Sequence, residues 1–180
     1  MPKVLILALL SILSFSSAHA NTSETRPFNL SANLAGLPLG AYGLRVQYSI
    51  LPYLTLTMPI DLVVKKASLI SDTTLNILRI FGYGMFPDLR ISSGLGVMLH
   101  YQGWYFEPSI SLGYAKILYP YFEQAMFLFS PTFLIGYQMI FDSGFLINIG
   151  IGVSGLYYFP EIVGTNAWIP IGVLGLGYAF

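Results

Sequence analysis

Along most of the chain, bulky apolar side chains alternate with small or polar ones. In 147–154 every odd position is Ile or Val, and every even position is Asn, Gly or Ser. Because successive side chains of a β-strand point to opposite faces, this pattern predicts a strand with one apolar and one crowded, polar face. The alternation recurs in 42–50, 89–101, 104–114 and 174–180. Charged and amide side chains fall on the small-residue face, so we expect that face to point inward.

The alternating segments predict eight strands whose connections are alternately short and long. Short connections are expected at 51–52, 102–103 and 142–143, and longer ones at 37–40, 65–87, 117–126 and 159–166. Bacterial outer-membrane barrels have short periplasmic turns and longer outer loops. We therefore expect an all-β fold, a closed antiparallel up-and-down transmembrane β-barrel of meander topology with both termini on the short-turn side. The predicted strands are 28–36, 41–50, 53–64, 88–101, 104–116, 127–141, 144–158 and 167–180.

Composition indicates that the apolar faces of these strands meet lipid rather than water. The chain is 55% hydrophobic and 9% charged, whereas an average soluble domain has about 25% charged residues. Helices and closed barrels both satisfy the backbone in lipid, so a helical inner-membrane protein is the alternative. The best candidate for a spanning helix is 144–159. Its apolar and its small or polar side chains alternate with a period of two, and it is rich in glycine and β-branched residues, which disfavour helix.

The first 20 residues have the features of an export signal. Lys3 provides the positive start, 4–13 form an apolar core too short to span a bilayer, and 18–20 form a small-x-small cleavage site. We expect cleavage after Ala20 and a single outer-membrane barrel domain over 21–180. The chain has no cysteine, which excludes disulfides, and its formal net charge of zero gives no reason to expect nucleic-acid binding.

Aromatic side chains flank the predicted turns, as expected for girdles at a membrane boundary. The chain contains 13 Phe, 13 Tyr and 2 Trp residues, so enough rings are present for two girdles. At the short-turn rim we expect Tyr48, Tyr53, Tyr101, Trp104, Phe141, Phe145, Tyr178 and Phe180. At the opposite rim we expect Tyr119, Tyr121, Phe127, Tyr157, Tyr158 and Trp168.

Three segments carry a resemblance to known proteins: NLAGLPLGAYGLRVQYSI (33–50), GYQMIFDSGFLINIGIGVSG (136–155) and GLGYAF (175–180). They resemble the small outer-membrane β-barrel proteins, the group that includes the OmpA, OmpX and OmpW types, and the outer-membrane barrel-domain proteins of diderm bacteria. The resemblance implies that Tyr178 and Phe180 form an assembly signal. It also implies barrel-assembly machinery and periplasmic chaperones as transient partners, in a surrounding of outer-membrane lipids and lipopolysaccharide. The OmpW type further suggests a small or hydrophobic solute.

Eight polar side chains are expected to form a network in the lumen, because buried charges need partners. Arg45 and Glu107 lie at similar heights above the short turns, and Asp61 and Arg90 lie higher and within a few residues of one another, so we expect two ion pairs or one small network. A polar constriction that selects a solute is the alternative function of this set. Inward glycines and serines are expected to leave small cavities. The predicted lumen network is Arg45, Gln47, Asp61, Arg90, His100, Glu107, Gln138 and Asn148.

No catalytic, cofactor or metal site is predicted. His100 is the only histidine after residue 20, and Glu107 and Ser109 on the next strand complete the one conceivable Ser-His-Glu arrangement. No G-x-S-x-G motif is present, and an inward position near the short turns favours a lumen histidine. One histidine without cysteine provides too few metal ligands. The glycines of 150–155 lack the strand–turn–helix context of a dinucleotide loop.

These observations predict a non-catalytic outer-membrane barrel of structural or narrow-channel type. One alternative is an enzyme that modifies lipid or lipopolysaccharide. The other is a surface interaction protein that uses Lys65, Lys66 and the loops 65–87, 117–126 and 159–166.

Overall fold

The structure is a computed structural model that describes residues 26–37, 40–64, 88–118, 123–160 and 166–180. These residues form eight strands, each of which pairs antiparallel with the next, and β1 pairs with β8 to close a barrel. The predicted all-β, closed up-and-down barrel is therefore confirmed. The strands are β1 (Phe28–Asn33), β2 (Ala41–Leu51), β3 (Leu54–Val64), β4 (Leu89–Tyr101), β5 (Trp104–Leu118), β6 (Glu123–Ile140), β7 (Phe145–Phe159) and β8 (Ala167–Ala179).

The short connections lie at one end of the barrel, which we call the short-turn end. In the β4–β5 turn, Gln102 and Gly103 have φ angles of 50° and 85°, and positive φ at both central residues is typical of two-residue hairpin turns. Asn29 pairs with Ala179, so both the start of β1 and the end of β8 lie at this end. The opposite end is called the long-loop end.

Strand boundaries differ from the prediction mainly at the long-loop end. β1 ends at Asn33 rather than at residue 36, because the chain turns there and the Leu37 amide donates to the Leu34 carbonyl at 3.1 Å. β5 reaches Leu118 and β6 begins at Glu123, so both strands extend into the connection predicted at 117–126. The predicted signal peptide and the predicted loop 65–87, with Lys65 and Lys66, lie outside the described residues.

The outer face of the barrel is covered by apolar side chains. Leu95, Tyr101 and Ile151 are the most exposed of these, at 73%, 73% and 74%. All eight rings predicted for the short-turn rim are among the exposed large side chains. The structure contains, over the ranges it describes, no helix of the length and hydrophobicity needed to cross a membrane.

Tyr158 was wrongly predicted to lie in the opposite aromatic rim. Its side chain is 1% exposed and packs inside the barrel with Leu128 and Leu156. The reason is the strand period: Tyr157 takes the outward position, where it contacts Trp168, and the next residue must point inward. Tyr119 and Tyr121 are not among the described residues.

Candidate functional site: the barrel lumen

The structure places all eight residues of the predicted lumen network on inward positions of their strands. Four of them are buried: Gln47, Glu107, Gln138 and Asn148. The other four have intermediate exposure; Arg45, Asp61 and Arg90 line an interior cavity, whereas His100 does not. The lumen therefore has a packed part and an open part.

An ion pair crosses the packed part. Arg45 Nη1 on β2 lies 2.7 Å from Glu107 Oε2 on β5, which is the first of the two predicted pairs. The Thr57 hydroxyl on β3 donates to Glu107 Oε1 at 2.9 Å. Both carboxylate oxygens of Glu107 therefore have donors, as a fully buried charge requires.

Amide and phenol groups fill the remaining cross-section. Gln138 Nε2 donates to Gln47 Oε1 at 3.2 Å, and the Tyr105 hydroxyl donates to Asn148 Oδ1 at 2.7 Å. Met98 is fully buried, and its sulfur lies 3.5 Å from the side-chain amide nitrogen of Gln47. We call this set the closing layer, because it occupies the lumen towards the short-turn end. Its members are Arg45, Gln47, Thr57, Met98, Tyr105, Glu107, Gln138 and Asn148.

His100 is not hydrogen-bonded to the other members of the conceivable Ser-His-Glu arrangement. Its ring packs near that of Tyr105, with centroids 6.4 Å apart. In the described part of the chain, no hydrogen bond links His100 to Glu107 or to Ser109, and Glu107 is already held by Arg45 and Thr57. The structure does not assemble the Ser-His-Glu geometry that acyl hydrolysis needs.

Towards the long-loop end the lumen contains a cavity of about 330 Å³. One wall, on β3–β5, carries Asp61, Arg90 and the serines Ser92, Ser109 and Ser111. The opposite wall, on β6–β8, carries the apolar side chains of Leu128, Leu134, Leu156, Ile169, Ile171 and Val173 together with the hydroxyls of Ser130, Thr132, Ser154 and Tyr158. The expectation that small inward residues leave interior space is met here. The concentration of large apolar side chains on one wall was missed, because it depends on how distant strands face each other across the lumen.

Asp61 and Arg90 line this cavity but do not form the second predicted ion pair. The register pairs Asp61 with Ser92 and Val63 with Arg90, so the two charged residues are diagonal neighbours, about 7–8 Å apart in such an arrangement. Arg45–Glu107 and Lys116–Glu123 have charged groups within salt-bridge distance, whereas Asp61 and Arg90 do not. Arg90 Nε is buried without a hydrogen-bond partner in the structure.

The cavity also reaches the outer face of the barrel, beside the long-loop half of β8. β1 pairs with β8 only as far as Asn33 and Gly175, whereas β8 continues to Ala167. Among the described residues, no strand pairs with 167–173 on that side. The outward residues Leu44, Pro170 and Gly172 are part of the cavity wall, so the opening passes between β8 and β2.

The described ranges contain no group of three or more His, Cys, Asp or Glu side chains that could hold a metal ion. No family model, curated protein or solved structure matches the chain significantly.

Proposed function

We propose that this chain is an integral outer-membrane β-barrel protein with a structural, non-catalytic role. The observation that carries the proposal is the apolar outer face of a barrel closed on itself. A sheet in lipid must have its backbone N–H and C=O groups paired. Where all neighbouring strands of a closed barrel are paired, no sheet edge is left open. In water, the same surface would form an apolar patch far larger than the few hundred Å² of soluble monomers.

The aromatic residues support a membrane orientation. Tyr48, Tyr101 and Trp104 surround the short turns and are all at least half exposed, as in the girdles of outer-membrane barrels. In this orientation the short-turn end faces the periplasm and the long-loop end faces outward, towards lipopolysaccharide. The proposal assigns the chain to the small barrels of the OmpA, OmpX and OmpW types, with periplasmic chaperones and the barrel-assembly machinery as transient partners.

The closing layer favours a structural role over a narrow channel. Gln47, Met98, Glu107 and Asn148 are at most 1% exposed, and they lie in the path between the cavity and the short-turn end. A path for ions requires water-accessible space along the whole lumen, and buried hydrogen-bonded side chains remove it. Eight strands leave an interior just wide enough for side chains to fill.

Membrane fractionation of a diderm host that expresses the full chain tests the proposal. We expect the protein in the outer-membrane fraction, with a β-type circular dichroism spectrum in detergent. We also expect faster gel migration of the unheated than of the boiled sample, as for barrels that resist detergent. Recovery in the soluble or inner-membrane fraction, or a helical spectrum, would refute the proposal.

A further inference from the structure

We propose that the long-loop cavity binds a short single-chain amphiphile with an uncharged, hydroxyl-bearing head. The site itself is independent of which membrane surrounds the barrel, although the route of entry suggested below rests on the proposed membrane location. Three properties of the cavity support this proposal: its unsatisfied polar groups, its charge and the apolar side chains on β6–β8.

Two buried donors at the cavity have no partner. Arg90 Nε and the hydroxyl of Tyr158 are both buried without a hydrogen bond in the structure, and both residues line the cavity. Tyr158 is 1% exposed, so its hydroxyl cannot turn to bulk water. Unsatisfied buried polar groups are rare and costly, and a ligand oxygen that accepts from them removes that cost.

The charges around the cavity select an uncharged head. Arg45 is neutralised by Glu107, and the formal charges of Arg90 and Asp61 cancel each other. Because the formal charges in the cavity already sum to zero, an ionic head would leave a buried net charge, which is strongly unfavourable. A hydroxyl instead accepts from Arg90 or Tyr158 and donates to the Asp61 carboxylate, because it is both a donor and an acceptor.

The apolar side chains on β6–β8 offer a contact surface for one alkyl chain. Leu134, Ile171 and Val173 line the cavity beside the closing layer, whose Met98 and Tyr105 pack against Leu134 and Val173 in one cluster. The cavity volume of about 330 Å³ is at the lower end of small-molecule sites, which span about 300–1,000 Å³. A chain of roughly ten carbons is the appropriate size on that scale, and a two-chain phospholipid is too large.

The opening beside β8 gives such a ligand a route from the membrane. β7 and β8 remain in register through Pro170, so the missing N–H of this proline does not interrupt the pairing with β7. On the unpaired side of β8, the same missing N–H removes one hydrogen-bond donor from the open edge. Among the described residues, a Cβ placed on Gly172 would meet only Ala35 Cβ, at 4.0 Å, so the described chain does not crowd the opening. An alkyl chain in lipid can therefore enter sideways without crossing water.

Binding is tested on the purified full chain in phosphatidylcholine nanodiscs, by native mass spectrometry of the one-to-one complex. The probes share a ten-carbon chain: monodecanoylglycerol, decanoate and decyltrimethylammonium. We expect the glycerol head to bind at least tenfold more tightly than either charged head. Equal or tighter binding of a charged head, or no one-to-one complex with any probe, would overturn the proposal.

Tyr158→Phe is the sharpest variant, because it removes only the unpartnered hydroxyl, and Tyr157→Phe is its outward control. We expect about fivefold weaker binding of monodecanoylglycerol in Tyr158→Phe and unchanged binding in Tyr157→Phe. Ser154→Phe, which places a ring in the cavity, should lower binding at least tenfold. Wild-type affinity in both Tyr158→Phe and a folded Ser154→Phe would contradict the site.

Uptake kinetics test the lateral route separately. Gly172→Phe should slow loading of monodecanoylglycerol from the nanodisc lipid at least tenfold, whereas Leu174→Phe, two positions along the same outward face, should not. Equal loading rates in the two variants would exclude this entry. Because binding and loading are measured in nanodiscs, their failure is distinct from failure of the outer-membrane assignment, which fractionation decides.

Discussion

Arg45 and Glu107 lie 62 positions apart in the sequence, and their side chains meet at 2.7 Å inside the barrel. They belong to β2 and β5, which are not neighbours in the sheet, so the ion pair spans the lumen. Glu107 is completely buried, and the Arg45 side chain is 12% exposed. The pair therefore connects distant parts of the barrel wall in an environment that screens charge poorly.

Glu107→Leu should destabilise the barrel because it leaves the Arg45 guanidinium without its counterion. Breaking one side of a buried ion pair typically costs about 3–5 kcal/mol, and we expect a loss of that size. Guanidinium-induced unfolding and refolding in lipid vesicles, followed by tryptophan fluorescence, gives the free energy of unfolding.

The double variant Arg45→Met with Glu107→Leu serves as the control. It removes both charges and retains apolar volume, so it should recover most of the stability lost in Glu107→Leu. If the double variant were as unstable as the sum of the two single variants, the two residues would not be energetically coupled.

The closing layer should make the wild-type barrel nearly silent in planar bilayers. A variant with Arg45→Ala, Gln47→Ala and Glu107→Ala removes three of its members and should show discrete conductance steps. Ser92→Ala, which changes only the cavity wall, is the matched control and should stay silent. A wild-type conductance equal to that of the triple variant would mean that this layer does not block the lumen.

Much of the fold follows from local alternation, which the sequence displays directly. The direction of each lumen side chain, such as Gln47, Glu107 or Asn148, needs only the period of two and one buried face. Strand ends at the long-loop end were less predictable. At Asn33, for example, the turn that ends β1 depends on an internal hydrogen bond of 34–37 that the alternation does not reveal.

Contacts between side chains of different strands were only partly predictable. Counting from the turns predicts the Arg45–Glu107 ion pair, which the structure contains. The same count does not show that Asp61 and Arg90, on neighbouring strands, are offset diagonally by two residues and are not joined by a salt bridge. Prolines within strands have a related effect. The β3–β4 ladder lacks pairs at Pro59, the β4–β5 ladder at Pro108 and the β6–β7 ladder at Pro131. Each proline removes a donor on one side only, and the sequence does not say which side.

Gly136 should tolerate no side chain. A Cβ at this position would lie 2.4 Å from the Ile149 carbonyl oxygen and 2.5 Å from Tyr105 Cζ, so backbone or the closing layer would have to shift. We expect Gly136→Ala to lower the free energy of unfolding by about 1–3 kcal/mol, as overpacking does. Gly172→Ala, where the new Cβ has open space, is the control and should leave stability within about 0.5 kcal/mol of wild type. Equal unfolding midpoints would contradict the close approach of Tyr105 to Gly136.

Arg26 should stabilise the junction of both termini at the short-turn end. Its guanidinium donates to the carbonyl oxygens of Ala179 at 3.5 Å and of Asp142 at 2.5 Å, and so links the chain before β1 to β8 and to the β6–β7 turn. Arg26→Ala should accelerate hydrogen exchange of the Ala179 amide, which donates to Gly144 O, more than that of Gln138. Arg26→Lys retains the charge but not the fork of donors and should fall in between. Unchanged exchange at Ala179 in Arg26→Ala would argue against this role.

Phe180 allows assembly in cells to be separated from stability. Its amide donates to the Phe28 carbonyl at 2.8 Å, and its ring lies near those of Phe28 and Tyr178, at 6.0 and 5.1 Å. Phe180→Ala keeps the backbone bond and loses ring contacts, so the refolded barrel should lose only about 1 kcal/mol of stability. Phe145→Ala removes another exposed ring at the same rim and should cost a similar amount.

Insertion into the outer membrane should nevertheless differ between these two variants. If the assembly machinery recognises the last strand, the Phe180→Ala variant should accumulate in the periplasm under conditions in which the wild type reaches the outer membrane. The Phe145→Ala variant should insert normally. The measurement is a pulse-chase of heat-modifiable protein in cells, with in vitro unfolding as the stability reference. Equal insertion defects in both variants would mean that loss of rim aromatics, rather than loss of a terminal signal, limits assembly. Normal insertion of Phe180→Ala would remove the reason to assign a signal to this residue.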